Sequence, residues 1–126
     1  MYPTDRHYSK EHEWIAVDGE TARVGITDFA QQELGDIVYV ELPEPGLEVR
    51  LGEVLGTIES VKAVSEIYAP LGGVVVKCNE SLDDRPELVN SDPHGEGWYC
   101  TLRMADPGEV DALMDAEAYA KTIATE

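Results

Sequence analysis

The amino-acid sequence predicts a mainly β fold, a flattened barrel or sandwich with a short early helix and a C-terminal helix. Short runs rich in Val, Ile, Thr and Tyr recur along the chain, as half-buried strands require. Gly, Pro or Asp-Gly punctuates the intervals between them. Helical spacing is confined to one brief stretch and to the tail, so strands must supply most of the core. With 126 residues, the chain is long enough to bury that core without disulfides or metal. One domain is expected over 1–126, including a helical tail at about 106–124.

The elements follow in order. The turn Asp18-Gly19 opens a strand at Thr21 to Ile26, and Gly35-Asp36 opens another at Ile37 to Leu42. Between them, Thr27 or Asp28 can cap a helix running from Asp28 to Leu34, with Gly35 at its C-cap and Phe29 and Leu34 as its buried contacts. Pro43 to Gly46 breaks the chain. Glu53 to Ile58 and Ala63 to Ala69 then form a strand pair, closed by Pro70, that folds back as a hairpin with Lys62 at its tip. Leu71-Gly-Gly73 turns into a strand at Val74 to Cys78. Asn79 to Gly97 is polar and turn-rich and is expected to wrap the sheet as a loop with one short helical piece, before Trp98 to Met104 returns as a strand. Asp106 and Pro107 begin the tail helix, with acidic Glu109 and Asp111 near its N-terminus and Val110, Leu113 and Met114 on one face. Ala116 to Ala120 continue it or form a second short helix. Strand alternation predicts burial of Val24, Ile26, Val38, Val40, Val54, Ile58, Val74, Val76 and Leu102.

Composition narrows function. Net charge is −17, from 26 acidic against 9 basic residues, a field that repels phosphate backbones and anionic lipid. Nucleic acid and membrane surfaces are therefore not expected partners. The N-terminal residues lack the apolar core of a secretory signal and the pattern of a transit peptide, so a cytoplasmic protein is expected. Cys78 and Cys100 form no C-x-x-C pair and fit as buried free thiols on alternating strands. His7, His12 and His94 show no metal-ligand spacing, and no nucleophile-base spacing supports a hydrolase built on His12 or His94. Trp14 and Trp98 read as core or cleft-wall aromatics.

The most informative position is Lys62. An exposed lysine between acidic residues is ordinarily a solvated amine, but one held at the tip of a rigid hairpin suits modification by another enzyme. The tract Glu59-Ser-Val-Lys62-Ala63, followed by Ala69-Pro-Leu-Gly-Gly73, resembles the lipoyl-lysine hairpin of the glycine cleavage H-protein family. His12-Glu-Trp14, Val24 to Gln31, Leu34 to Pro43, Leu88 to Pro93, Gly95 to Trp98 and Leu113 to Tyr119 resemble that family's blocks in its order, over nearly the whole chain. His94 stands where the family often has an aromatic residue, and Val64 and Glu66 are conservative variants.

The resemblance implies a flattened barrel of the biotinyl/lipoyl-carrier type and a carrier protein, not an enzyme. It implies lipoic acid in amide linkage to Lys62, recognised through Glu59, Ser60, Val61 and Ala63, and installed by a lipoate ligase or lipoyltransferase. It further implies a cycle in which the arm accepts an aminomethyl group at a pyridoxal-phosphate glycine decarboxylase (P protein). The arm then delivers that group to a folate-dependent aminomethyltransferase (T protein) and is reoxidised by dihydrolipoyl dehydrogenase (L protein). By the same resemblance, Glu13 and Glu66 are candidate contacts of the aminomethyl nitrogen. Biotinyl domains are less similar, since they favour methionines where Val61 and Ala63 flank Lys62, and the Ala/Pro-rich linkers of large dehydrogenase complexes are missing. A lipoyl-group relay to, or carrier for, another 2-oxo acid dehydrogenase complex uses the same features and stays open.

Overall fold

A computed structural model describes residues 2–126. Two antiparallel sheets face each other. The larger contains β1 (His7–Tyr8), β2 (Glu13–Asp18), β3 (Thr21–Ile26), β5 (Glu48–Val49), β8 (Gly73–Cys78) and β9 (Cys100–Met104), in the spatial order β1-β2-β3-β9-β8-β5. The smaller contains β4 (Ile37–Glu41), β6 (Val54–Ser60) and β7 (Val64–Tyr68), in the order β4-β6-β7. Their inner faces share one hydrophobic cluster, in which Val24, Cys100 and Leu102 of the larger sheet meet Val40, Ile58 and Ile67 of the smaller. Ala22, Leu102 and Val75 lie opposite one another across three strands and are buried together, the cross-strand packing that stabilises a sheet.

Helix α1 (Asp28–Leu34) matches the expected cap: the Thr27 side chain accepts from Ala30 N–H, and Gly35 ends the helix at φ +80°. None of its residues is fully buried. Phe29 packs against His12 with ring centroids 4.7 Å apart and the rings tilted by 35°, and Leu34 packs on the main cluster. The segment after β8 forms two four-residue helices, α2 (Ser81–Asp84) and α3 (Leu88–Ser91), where one helical piece was expected. The tail is also divided. A 3-10 helix (Pro107–Ala112), capped by Asp106, ends at Leu113 in an extended conformation. Met114 then bridges to Tyr8, and Asp115 caps α4 (Ala116–Ala124). One continuous helix would forfeit the two backbone hydrogen bonds exchanged by Tyr8 and Met114, both 2.8 Å.

Four expected core valines are misplaced. Val38, Val54 and Val76 are exposed, and Val74 is only half-buried. The register slips between Ile37 and Tyr39, between Val54 and Gly56, and between Val75 and Lys77, beside each exposed valine. Each irregularity inserts a residue and inverts the alternation, so Ile37, Leu55 and Val75 point inward instead. At Gly56 any side chain would collide with the Tyr99 hydroxyl and the Glu41 carbonyl, which hydrogen-bond to each other across the strand.

A second cluster joins the two ends of the chain. Tyr8, Trp14 and Tyr119 are its buried members, with the rings of Tyr8 and Tyr119 stacked at 4.9 Å. Trp14 Nε1 donates to the Pro93 carbonyl at 2.8 Å, while Trp98 is half-buried beneath the Arg23 guanidinium at 4.2 Å. Both cysteines are free. Cys100 is buried and Cys78 half-buried, and burial raises the pKa of each thiol. Among the described residues, no helix is long and apolar enough to cross a membrane.

Candidate functional site

The β6–β7 hairpin ends in the three-residue turn Val61, Lys62 and Ala63, all exposed. Ser60, buried at the end of β6, organises it: its Oγ accepts from the amides of Lys62 (3.2 Å) and Ala63 (3.1 Å), and its amide donates to the Ala63 carbonyl at 2.8 Å. The turn also leans on the segment between α1 and β4. Val61 N–H donates to the Asp36 carbonyl at 3.0 Å, and Ile37 pairs with Ser60. A side chain at Gly35 would begin 3.6 Å from Lys62 Cε, in ordinary van der Waals contact, so this residue borders the lysine stem; its φ of +80° is what favours glycine. Among the described residues, no ion pair engages the Lys62 ammonium. The lysine therefore has a fixed backbone and an accessible amine, the combination a modifying enzyme requires.

Glu59 is exposed on the outer face of the hairpin, directly between Tyr39 and Val64 on the neighbouring strands. Val61 and Val64 are 67% and 68% exposed, so the surface around the lysine is apolar with acidic interruptions. From Lys62 the chain runs along β7 to Glu66, about 13 Å away at strand rise. There it borders a cleft of about 290 Å³ whose wall includes Ile58 and Ile67 from the hairpin and Phe29 and Ala30 from α1.

Glu13 and Glu66 both line this cleft, but their environments differ. Glu66 is exposed and accepts from the Tyr68 hydroxyl at 3.1 Å. Glu13 is 2% exposed; one carboxyl oxygen accepts from Ser9 Oγ at 2.6 Å and the other from Tyr68 N–H at 3.1 Å. Burial pushes its pKa up to about 7, against the lowering effect of those two hydrogen bonds. Each of its oxygens is engaged once and retains one further lone pair.

His12 closes the far end of the cleft. It adopts φ +69°, uncommon for a non-glycine residue, within a turn where its N–H donates to the Ser9 carbonyl at 3.1 Å. Its Nδ1 lies 2.8 Å from the Tyr119 hydroxyl, which also bonds Thr27 Oγ at 2.7 Å, tying α4 to the cap of α1. His94 sits elsewhere. Its Nε2 accepts from Asp28 N–H at 3.1 Å, and burial, aided by Arg6, lowers its pKa and favours the neutral acceptor. Sequence reasoning missed Ser9, Asp36, Asn90 and Tyr119 as supports of the site; no spacing rule links residues so far apart in the chain.

The model of the family described as Glycine cleavage H-protein matches residues 6–126. The glycine cleavage system H protein of Bacillus subtilis (strain 168) is 56% identical over 117 residues, spanning 93% of this chain and 92% of the relative. That of Thermotoga maritima is 51% identical over 121 residues, 96% of this chain and 98% of the relative. The crystal structure of a glycine cleavage system H protein from Mycobacterium marinum superposes with a TM-score of 0.90 at 39% identity, covering 98% of this chain and 99% of that one. With fold, hairpin and full-length similarity in agreement, the chain belongs to the glycine cleavage H-protein family.

Proposed function

We propose that Lys62 carries a lipoyl group in amide linkage and that this chain serves glycine cleavage as a carrier, not a catalyst. Members of the family are lipoyl carriers of that system. The observation that carries the assignment to Lys62 is its position: an exposed amine without an ion pair among the described residues, on a turn whose backbone Ser60 holds through both its hydroxyl and its amide. Amide formation would remove the ammonium charge and place the reactive end beyond the protein surface, while the hairpin base stays fixed.

When bound, the lipoyl group supplies a dithiolane, the redox-active sulfur pair that a carrier of glycine-derived fragments requires. The chain's own residues bind, orient and shield. Ser60 orients the attachment point, and Glu59, Val61 and Ala63 present the surface that a lipoate ligase or lipoyltransferase reads. Exposed Glu66 offers a carboxylate to a cationic nitrogen entering the cleft, and Glu13 at its buried side offers the remaining lone pairs. The apolar wall from Phe29, Ile58 and Ile67 would limit water around that nitrogen. In this reading the P, T and L proteins visit the same turn in the cytoplasm, each binding weakly enough to release it.

Intact-protein mass spectrometry tests the assignment after incubation with lipoate ligase, ATP and lipoate. A lipoyl-sized increase is expected for the wild type and absent from Lys62→Ala. No increase in the wild type, or one retained in Lys62→Ala, overturns it.

A further inference from the structure

We infer that Asn90, on α3, is a positioning residue for the Lys62 turn: its side-chain amide fixes the segment Gly35 to Ile37 on which that turn rests. The inference deepens the reading of Lys62 as the attachment lysine and rests on it. Asn90 Oδ1 accepts from Ile37 N–H at 2.8 Å, and Nδ2 donates to the Gly35 carbonyl at 2.9 Å and to Gln31 Oε1 at 2.8 Å. Acceptor and both donor hydrogens are thereby used, and the neighbouring backbone groups dictate the orientation of the amide.

The segment gripped by Asn90 is the one that holds the turn. Gly35 faces the lysine stem, Asp36 accepts from Val61 N–H, and Ile37 pairs with Ser60. Asn90 therefore acts on Lys62 through one intermediate layer of backbone. A carboxylate could accept from Ile37 but would turn oxygen against the Gly35 carbonyl. An aliphatic side chain would leave the Ile37 amide and the Gly35 carbonyl without their present partners, and released loop groups adopt several arrangements. A turn that samples several arrangements must be ordered each time a modifying enzyme docks, which weakens recognition without altering the amine itself.

The competing role is purely structural, in which Asn90 only joins α3 to α1. Three measurements on wild type, Asn90→Ala and Asn90→Asp separate the two. These are steady-state lipoylation by a lipoate ligase, acylation of Lys62 by a small activated ester followed by peptide mapping, and hydrogen exchange at the Val61 amide. For Asn90→Ala, the expected result is about a tenfold fall in kcat/KM, mainly through KM, with Val61 exchange about tenfold faster and the ester rate within about twofold of wild type. Asn90→Asp, which keeps an acceptor for Ile37, should lie between.

If folded Asn90→Ala is lipoylated like the wild type, or its Val61 amide exchanges no faster, the inference is overturned. Should Asn90→Ala fail to fold, Asn90→Asp decides by the same criteria. Lys62→Ala guards the underlying reading. Wild type without lipoyl at Lys62 defeats both, whereas normal lipoylation of every Asn90 variant defeats only this one.

Discussion

Replacing Glu13 by glutamine should remove a pH dependence of stability that this one buried carboxyl imposes. Its pKa is raised from 4.5, the ordinary glutamate value, to about 7 by burial. Below about pH 4.5 the group is protonated in both folded and unfolded chains and costs nothing. Between 4.5 and 7 the unfolded chain releases its proton while the folded chain keeps it, so stability falls as pH rises, and above about 7 the loss is complete. The difference, 7 − 4.5, is about 2.5 units, or about 3 kcal/mol at 1.36 kcal/mol per unit. Glutamine fits the same place: its oxygen can accept from Tyr68 N–H and its amide can donate to Ser9 Oγ. Urea unfolding of both proteins at pH 4, 5.5, 7 and 8 checks this, because subtracting the curves cancels the titration of the other acids. Relative to the wild type, Glu13→Gln should gain about 3 kcal/mol between pH 4 and pH 8. Parallel curves would refute a raised Glu13 and, with it, the desolvation of its carboxyl.

Two further substitutions probe the frame around the site. Gly56→Ala should lower stability by about 3 kcal/mol or more, because its Cβ must displace the Tyr99 hydroxyl or the Glu41 carbonyl; a thermal melt within a degree of wild type would contradict the close approach. Tyr119→Phe should cost about 1–2 kcal/mol by stripping Thr27 and His12 of a shared partner, measured by chemical denaturation, and unchanged stability would show that the hydroxyl contributes nothing to docking α4.

Much of the β architecture is legible in the sequence because alternation and turn chemistry are local. The runs Thr21 to Ile26, Ile37 to Leu42, Glu53 to Ile58, Ala63 to Ala69 and Val74 to Cys78 each overlap a strand, with ends off by two residues at most, and the cap at Thr27 and terminator at Gly35 mark α1. Where the reading fails, the reason is a register slip. Val38, Val54 and Val76 satisfy a period of two, but a bulge costs only one residue and leaves no compositional trace. The strands β1 and β5 are two residues each, too short for any periodicity to register, and β2 begins with buried Glu13, a residue that argues against a core strand. At the site, the exposure of Lys62 at a hairpin tip can be foreseen because the hairpin is contiguous. The partners of Glu13, His12 and Asn90 come from distant segments, and only the fold assembles them.

The placement of β9 between β3 and β8 has a consequence for how the chain is made. This is the last strand in sequence, yet it lies inside the larger sheet. Until residues 100–104 exist, β3 and β8 each present an unpaired edge of backbone donors and acceptors, a template for association with other chains. The lysine-bearing hairpin, by contrast, closes over a short loop and needs no later strand for its own pairing. Synthesis therefore completes the lysine-bearing hairpin before the barrel can close. Truncation that removes Cys100 to Met104 should produce aggregation, not a smaller carrier.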